Sequence, residues 1–184
     1  VCTFILTLIL ASGCTGQSLD RQLNFNFEHI NYTAHLPQDW NVWGTRDYIV
    51  QSDSIEVYDG NYSVAIHSTP STKRNSFGSI ARCFPASAGS EITLTGYFKI
   101  EDVKDGYVGL LLRIDAIDHS LALENMSQQQ ITGTADWKKY SITLPLEPEA
   151  RHICVGGILG GSGKAWFDNF EVLIDGKPIQ SMDE

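Results

Sequence analysis

The residues best suited to acid–base chemistry are the histidines, and their spacing matches no known catalytic or metal-binding motif. The five are scattered along the 184 residues, at His29, His35, His67, His119 and His152. No HExxH motif is present, in which two histidines one helical turn apart bind zinc. His119 directly follows Asp118, but neighbours along a strand point to opposite faces. We therefore expect this pair to lie on a solvated loop.

The motifs for a nucleophile or a bound phosphate are also incomplete. The sequence lacks the G-x-S-x-G motif that positions the serine of α/β-hydrolases. Residues 160–164 are similar to a phosphate-binding loop, but Ala165 stands where a Ser or Thr must reach magnesium. We expect a glycine-rich hairpin turn there instead. The sequence therefore predicts no catalytic residues, and we interpret this chain as a non-enzyme.

Composition argues against disorder and against nucleic-acid binding. Hydrophobic residues make up 42% of the chain and aromatic residues 10%, which is typical of a folded domain. The 22 acidic residues outnumber the 13 Lys and Arg, for a net charge of −9. A nucleic-acid backbone requires clustered cations. We therefore expect no nucleic-acid partner.

The hydrophobic pattern has the period of β-strands. Ile92, Leu94, Phe98 and Ile100 fall on one side of the run 91–100, and polar residues fall mainly on the other. Further runs of this kind are 62–67, 77–84, 107–116, 121–126, 137–144, 152–159 and 165–174. Turn-forming residues such as Gly, Asn and Asp separate the runs. The pattern predicts an all-β fold, an antiparallel β-sandwich of about nine strands.

One predicted strand carries polar residues that could bind a ligand. Its core-facing set is Val108, Leu110, Leu112 and Ile114. The opposite side carries Leu111, Arg113 and Asp115. Tyr97 and Lys99 lie on the outer side of the preceding strand, and Glu124 or Asn125 could join from the following one. Such a face can bond sugar hydroxyls while an aromatic ring stacks on a pyranose. The alternative is an ordinary charged face with an ion pair that contributes little stability.

Several segments, taken in order, resemble a known domain. They are LNFNFE at 23–28, LPQDW at 36–40, DGNYSV at 59–64, LTGYFKIE at 94–101, YVGLLLRID at 107–115, NM at 125–126, GTADWKKY at 133–140 and GSGKAWFDNFEV at 161–172. This series resembles the galactose-binding-like jelly-roll domain at the N-terminus of Bacteroidetes envelope lipoproteins. That domain precedes a tail-specific serine peptidase domain or an erythromycin-esterase-like domain. The resemblance covers residues 22–180 and implies a jelly roll related to carbohydrate-binding modules.

Two functions are compatible with this resemblance. The first is a non-catalytic binding module of an envelope lipoprotein, with a glycan or a cell-surface polymer as its partner. The second is an accessory or spacer domain that positions a downstream hydrolase and binds no small ligand. The resemblance implies no specific ligand.

The resemblance also implies a structural calcium site and assigns the tryptophans. It places Glu28 and Asp168 where related jelly rolls use carboxylates to bind a cation, with Asp59 in the neighbouring turn. Calcium requires six to eight oxygens, and the alternative is that these carboxylates bond backbone amides. The resemblance implies that Trp40, Trp137 and Trp166 lie in the core. Trp43 is then the strongest candidate for an exposed, ligand-stacking aromatic.

The N-terminal sequence predicts that the protein is located in the cell envelope. Residues 2–11 are uncharged and mostly apolar, a run too short to span a membrane but suited to a secretory signal. The following LASGC sequence, which ends at Cys14, resembles a bacterial lipobox. We predict a truncated lipoprotein signal peptide (1–13), a tether (14–21), a jelly-roll domain (22–180) and a tail (181–184). Lipidation of Cys14 would anchor the domain to a membrane.

Two cysteines remain in the predicted domain. Cys83 and Cys154 both lie in strand-like runs. A disulfide is compatible with an envelope location, and two separate buried thiols are equally compatible with the sequence.

Overall fold

The computed structural model describes residues 23–73 and 75–179. The predicted signal peptide, the tether with Cys14, and the tail lie outside these residues. Among the described residues, no helix has the length and apolar character needed to cross a membrane.

The described residues form thirteen strands and one short 3-10 turn, Ser127–Gln129. The strands are β1 Ile30–Asn31, β2 Leu36–Pro37, β3 Asn41–Gly44, β4 Tyr48–Asp53, β5 Ser63–Ser68, β6 Phe77–Pro85, β7 Glu91–Lys104, β8 Val108–Asp115, β9 Ser120–Glu124, β10 Gly133–Pro145, β11 His152–Gly160, β12 Ser162–Ile174 and β13 Lys177–Pro178.

The strands build two large antiparallel sheets and a small hairpin. The front sheet has the order β3-β6-β11-β8-β9. The back sheet has the order β10-β7-β12-β5-β4, with β13 paired to β12. The two-residue strands β1 and β2 pair with each other. This architecture confirms the predicted all-β antiparallel sandwich.

The core lies between the two sheets and follows the period-two pattern of the sequence. The predicted core residues of β7 (Ile92, Leu94, Phe98 and Ile100) and of β8 (Val108, Leu110, Leu112 and Ile114) are at most 1% exposed. Burial of such side chains stabilises the fold by about 1.5–3 kcal/mol each. Phe25 and Phe27, ahead of β1, pack edge-to-face on Trp40 and close one end of this core.

Consecutive strands repeatedly change sheets, which determines which side chains share a surface. Residues 105–107 carry the chain from β7 in the back sheet to β8 in the front sheet. Gly161 does the same between β11 and β12, with a φ of 73° that favours glycine. The predicted hairpin at residues 160–164 is therefore wrong, because its two strands belong to different sheets.

Sequence reasoning missed the two edge strands that precede β5. β3 contains only four residues, none of them buried, and β4 buries only Tyr48. Edge strands of this kind carry little of the periodic signal that marks a half-buried strand. β3 forms one border of the front sheet.

Candidate functional site

The outer face of the front sheet carries a groove of about 490 Å³. Its aromatic and apolar lining comes from Trp43, Phe77, Tyr107, Leu111, Leu123 and Ile158. Its polar lining includes Asn75, Ser79, Asp105, Arg113 and Asn125. This volume lies in the usual range of small-ligand sites, which combine apolar walls with a few polar groups.

Strand register explains why the groove is open in the middle. Trp43 on edge strand β3 is paired with Ser79 of β6, and Ser79 is paired with Ile158 of β11. Gly160 follows on the same side of β11, and a Cβ placed there would meet no atom closer than 3.8 Å. Because Ser79 and Gly160 are small, the bottom of the groove beside the indole ring of Trp43 is open. We call this part of the groove its floor.

Arg113 borders the groove on the other side. Its Nε donates to Asp115 Oδ1 at 2.8 Å, two residues along the same strand. Both side chains are partly exposed, so the ion pair contributes little to stability. This bond uses Nε and not the two terminal guanidinium nitrogens.

A second, more polar hollow of about 430 Å³ adjoins the groove at Arg113. Asp115, His119 and His152 line it together with Cys83 and Cys154. The two hollows follow β11 from Gly160 to His152, a length of about 26 Å at 3.3 Å per residue.

Asp118 and His119 lie at the edge of this second hollow. Their side chains form a 2.7 Å contact and are mostly exposed, as expected for a solvated loop. The pair has no buried partner to activate it as a catalytic dyad among the contacts of the described residues.

The structure contains a disulfide between Cys83 and Cys154, which decides between the two alternatives left by the sequence. The two residues are direct partners in the β6–β11 ladder, and Cys154 is also paired with Arg113 on β8. The disulfide therefore lies on the same outer face as the groove and links the adjacent strands β6 and β11.

The prediction that Tyr97 and Lys99 lie beside Arg113 is wrong. β7 pairs with β10 and β12, whereas β8 pairs with β9 and β11, so the two strands lie in opposite sheets. Tyr97 stacks on Tyr58 on the outer face of the back sheet. Lys99 donates to Glu56 Oε2 at 2.7 Å, a bond that raises the pKa of its ammonium. Of the predicted ligand residues, the groove brings together Trp43, Arg113 and Asn125.

The other three tryptophans have three different environments. Trp40 is buried in the core, as predicted, and its indole donates to Asn24 O. Trp166 is also buried, but beneath Lys99 and Lys164 on the outer side of the back sheet, where it donates to Asp53. Trp137 is only half-buried, so its prediction as a core residue is wrong.

The three residues predicted for calcium lie together, around the loop that precedes β5. Glu28 accepts the backbone N–H groups of Asn61 and Tyr62 at 2.8 and 3.0 Å, and the side-chain amide of Asn61 at 2.9 Å. Asp168 accepts the N–H groups of Tyr58 and Asp59 through one oxygen, at 2.9 and 3.1 Å, and that of Asn169 through the other.

The buried position of Asp168 changes its acidity. The side chain has no exposed surface, and burial raises its pKa to about 6 although three backbone amides favour the ionised form. Glu28 adds a smaller effect in the same direction because its negative charge lies nearby.

These contacts do not by themselves form a calcium shell. Each carboxylate oxygen of Glu28 and Asp168 already accepts an N–H group, whereas calcium takes six to eight oxygen ligands. Among the described residues, no three acidic, histidine or cysteine side chains are grouped as a metal site. The geometry fits an anchor for the loop, and the calcium site stays a prediction.

Sequence reasoning missed three residues of the groove wall, Phe77, Tyr107 and Leu123. Phe77 and Tyr107 stand where the chain enters β6 and β8, and Leu123 is paired with Arg113 across the β8–β9 ladder. Leu123 could have been recognised because it is an apolar residue on the outward side of a predicted strand. It is 57% exposed.

No family model matches the sequence. A protein of Bacillus subtilis (strain 168), named as the uncharacterized HTH-type transcriptional regulator YbfP, is 29% identical over 160 residues. The match covers 83% of this chain and 54% of that protein, so the chain spans about half the length of this curated relative. From residue 24 onward, the described residues contain no α-helix, so that part of the chain holds no helix-turn-helix.

Solved structures of carbohydrate-binding modules share the fold. A CBM4 module superposes with a TM-score of 0.54 and 17% identity, covering 84% of this chain and 97% of the module. The CBM22-1 xylan-binding domain of Paenibacillus barcinonensis Xyn10C gives a TM-score of 0.54 and 11% identity, covering 82% and 91%. At these identities the similarity establishes the β-sandwich fold.

Proposed function

We propose that this chain is a non-catalytic glycan-binding module that binds a neutral polysaccharide chain in the groove of the front sheet. The observation that carries the proposal is the pairing of an aromatic wall, Trp43, with polar groups at Arg113 and Asn125 across one open floor. Pyranose rings have apolar faces and polar edges, so they match walls of these two kinds.

The charges of the groove favour a neutral ligand. Asp105 and Arg113 are its charged lining residues and have opposite signs. The positive charge of Arg113 is further offset by Asp115, and the whole chain carries a net charge of −9. A polyanion would be repelled at long range, and a polycation would find no cluster of carboxylates in the groove.

The solved structures that share this fold support the proposal through the ligands that their names give. One of them is a xylan-binding domain, and another is a carbohydrate-binding module of the CBM4 type. We transfer only the class of ligand, because the groove of this chain has its own side chains.

We further propose that the domain is displayed in a bacterial cell envelope through a lipid on Cys14. The lipobox-like sequence before Cys14 supports the anchor. The Cys83–Cys154 disulfide supports an oxidising compartment, since such bonds rarely persist in the cytosol. A radiolabelled fatty acid incorporated by the wild type but not by Cys14→Ala would test the anchor.

An accessory role beside another domain is the second candidate. It is supported by the Bacillus subtilis relative, of which the chain spans about half. In this case the domain would position a partner domain, such as the peptidase or esterase that follows the jelly roll in the resembling lipoproteins. Glycan binding by the isolated domain distinguishes the two functions.

The test is calorimetric titration with neutral hexasaccharides of β-linked xylose, glucose and galactose. We expect saturable binding to the wild type, and loss of affinity in Trp43→Ala by about tenfold or more, because stacking on an indole ring contributes about 1 kcal/mol or more. Trp43→Phe should retain part of the affinity. An absence of binding to all of these sugars would contradict the proposal.

A second variant blocks the groove without touching its walls. Gly160→Val places a side chain on the open floor, where the first added carbon has ordinary contact distances. Ser141→Val is a matched control, because Ser141 is exposed on edge strand β10 of the back sheet. We expect Gly160→Val to abolish binding in the groove and Ser141→Val to leave it unchanged.

A further inference from the structure

We propose a second saccharide-binding site on the outer face of the back sheet, formed by Tyr58, Tyr97 and Trp137 beside a polar hollow. This site, here called the aromatic platform, shares no residue with the groove. The inference therefore does not depend on the groove, although both sites would take the same class of ligand.

The platform is a cluster of three rings on an exposed surface. The rings of Tyr58 and Tyr97 stack with centroids 3.7 Å apart and planes 16° apart. Trp137 lies 5.9 Å from Tyr58 with its plane tilted by 57°. Tyr58 is 40% exposed, with one side of its ring against Tyr97. Three aromatic side chains gathered outside the core form a surface that favours a ligand with apolar faces.

Two carboxylates fix the loop that carries Tyr58. Asp168 binds the N–H groups of Tyr58 and Asp59, and Glu28 binds those of Asn61 and Tyr62. Gly60 adopts a φ of 74°, and any larger residue there would overlap the carboxylate of Glu28. The ring of Tyr58 is thereby positioned before a ligand arrives, which lowers the entropic cost of binding.

One of the two anchoring carboxylates, Asp168, is fully buried. Burial of an ionised Asp168 is unfavourable, and the hydrogen bonds of this side chain all support the segment that presents Tyr58 or the next residue of β12. The anchor therefore holds Tyr58 in place independently of its stacking on Tyr97.

The hollow beside the platform has the polar groups that a sugar requires. It has a volume of about 310 Å³, and its lining includes Tyr97, Asp59, Lys139, Asn169 and Glu171. Lys139 lies 4.0 Å from Glu171 and 5.9 Å from the centre of the Tyr97 ring. Carboxylates accept hydrogen bonds, the Lys139 ammonium donates them and the Asn169 amide does both. The lining can therefore pair with a sugar hydroxyl that acts as a donor or as an acceptor.

This mixture of charges selects a neutral, polyhydroxylated ring. Asp59 and Glu171 would repel an anionic ligand, and Lys139 would repel a cationic one. The hollow is also at the low end of small-ligand volumes, which suits one or two sugar rings. With the groove on the opposite sheet, one domain could contact two polysaccharide chains and gain avidity.

The experiment uses Gly160→Val, in which the groove is blocked, labelled with nitrogen-15. The probes are the neutral hexasaccharides of β-linked xylose, glucose and galactose at millimolar concentration. We expect at least one probe to shift the indole N–H signal of Trp137 and the amide signals of Asp59 and Asn61. Adding Tyr58→Ala should reduce this affinity by about tenfold or more, as expected for the loss of a stacked ring, whereas Tyr58→Phe should retain it.

Three results overturn the inference. The first is that no probe shifts Trp137 or the loop in the groove-blocked protein. The second is that the shifts persist unchanged in Tyr58→Ala. The third is that Tyr58→Phe loses as much affinity as Tyr58→Ala, which would assign the effect to the hydroxyl and not to the ring. In each case, Trp43-dependent binding of a hexasaccharide to the wild-type protein would still support the proposed function of the groove.

Discussion

Asp168 Oδ2 accepts the backbone N–H of Tyr58 at 2.9 Å, so a carboxylate with no exposed surface fixes the loop that presents an exposed aromatic ring. The two residues are 110 positions apart in the chain. Glu28, from the segment before β1, fixes the other end of the same loop. Three distant parts of the sequence thus cooperate to position one surface segment.

The raised pKa of Asp168 predicts a pH dependence of stability. Its folded-state pKa of about 6 exceeds its ordinary value of 3.8, so the folded state binds this proton more tightly than the unfolded state. The contribution of Asp168 to the free energy of unfolding is therefore largest below pH 4 and decreases as the pH rises to about 6. Over this window the decrease should be on the order of 2–3 kcal/mol.

Other acids titrate in this range, so the measurement is a difference. Burial raises the pKa of Asp53, but hydrogen bonds from backbone amides and from the Trp166 indole outweigh burial and lower it. The contribution of Asp53 to stability therefore increases with pH, opposite to that of Asp168. Urea unfolding of wild type and Asp168→Asn between pH 4 and 7 isolates the contribution of Asp168. A difference between the two proteins that stays constant with pH would contradict the raised pKa.

Chelation separates the loop anchor from the predicted calcium site. If Glu28 and Asp168 bind backbone amides alone, as their contacts indicate, a chelator should leave the melting temperature unchanged. Bound calcium would stabilise the folded state by mass action and would also lower the pKa of Asp168. Melting curves with chelator and with added calcium, together with a carboxyl titration followed by carbon-13 NMR, decide between the two.

The Cys83–Cys154 disulfide should contribute substantially to stability. It joins residues 71 positions apart, and closing a loop of this length in the unfolded chain corresponds to about 4 kcal/mol. For a domain of this size the melting temperature should fall by roughly 10 °C on reduction. The double variant Cys83→Ala, Cys154→Ala serves as control, because its melting temperature should not respond to reductant. Equal responses in both proteins would contradict this prediction.

Arg113 should contribute to affinity in the groove and little to folding. Its ion pair with Asp115 is partly exposed, so Arg113→Ala should change the free energy of unfolding by less than about 1 kcal/mol. Loss of charge-assisted hydrogen bonds to sugar hydroxyls should weaken hexasaccharide binding by about tenfold. Arg113→Lys should recover only part of this loss, because lysine lacks the guanidinium fork. Unchanged affinity in Arg113→Ala would remove this residue from the site.

The sequence was sufficient to predict the core, and the physical reason is its period of two. Ile92 and Leu94 on one strand, and Leu110 and Leu112 on another, are buried because alternation assigns each side chain to a face. Alternation does not say which sheet contains a strand. Tyr97 and Arg113 are both outward residues of consecutive strands, yet they lie on opposite surfaces of the sandwich.

The parts of the sites that escaped prediction depend on long-range pairing. Trp43 was itself predicted as an exposed aromatic, but the strand that brings it to the groove was not. β3 pairs with β6, and β3 is too short and too exposed to be recognised from its own residues. Tyr58 lies in a loop whose sequence carries no periodic signal, and its position depends on carboxylates from the first and last parts of the domain. Such contacts follow from topology and not from local pattern.

The most direct test of glycan binding in the groove is a titration of nitrogen-15-labelled wild-type protein with each neutral hexasaccharide, followed by NMR. We predict that one of these sugars shifts the indole N–H signal of Trp43 and the amide signals around Gly160 and Arg113, and that Gly160→Val abolishes these shifts. If every sugar leaves those signals unmoved at millimolar concentration, the groove is not a glycan site and the account is wrong.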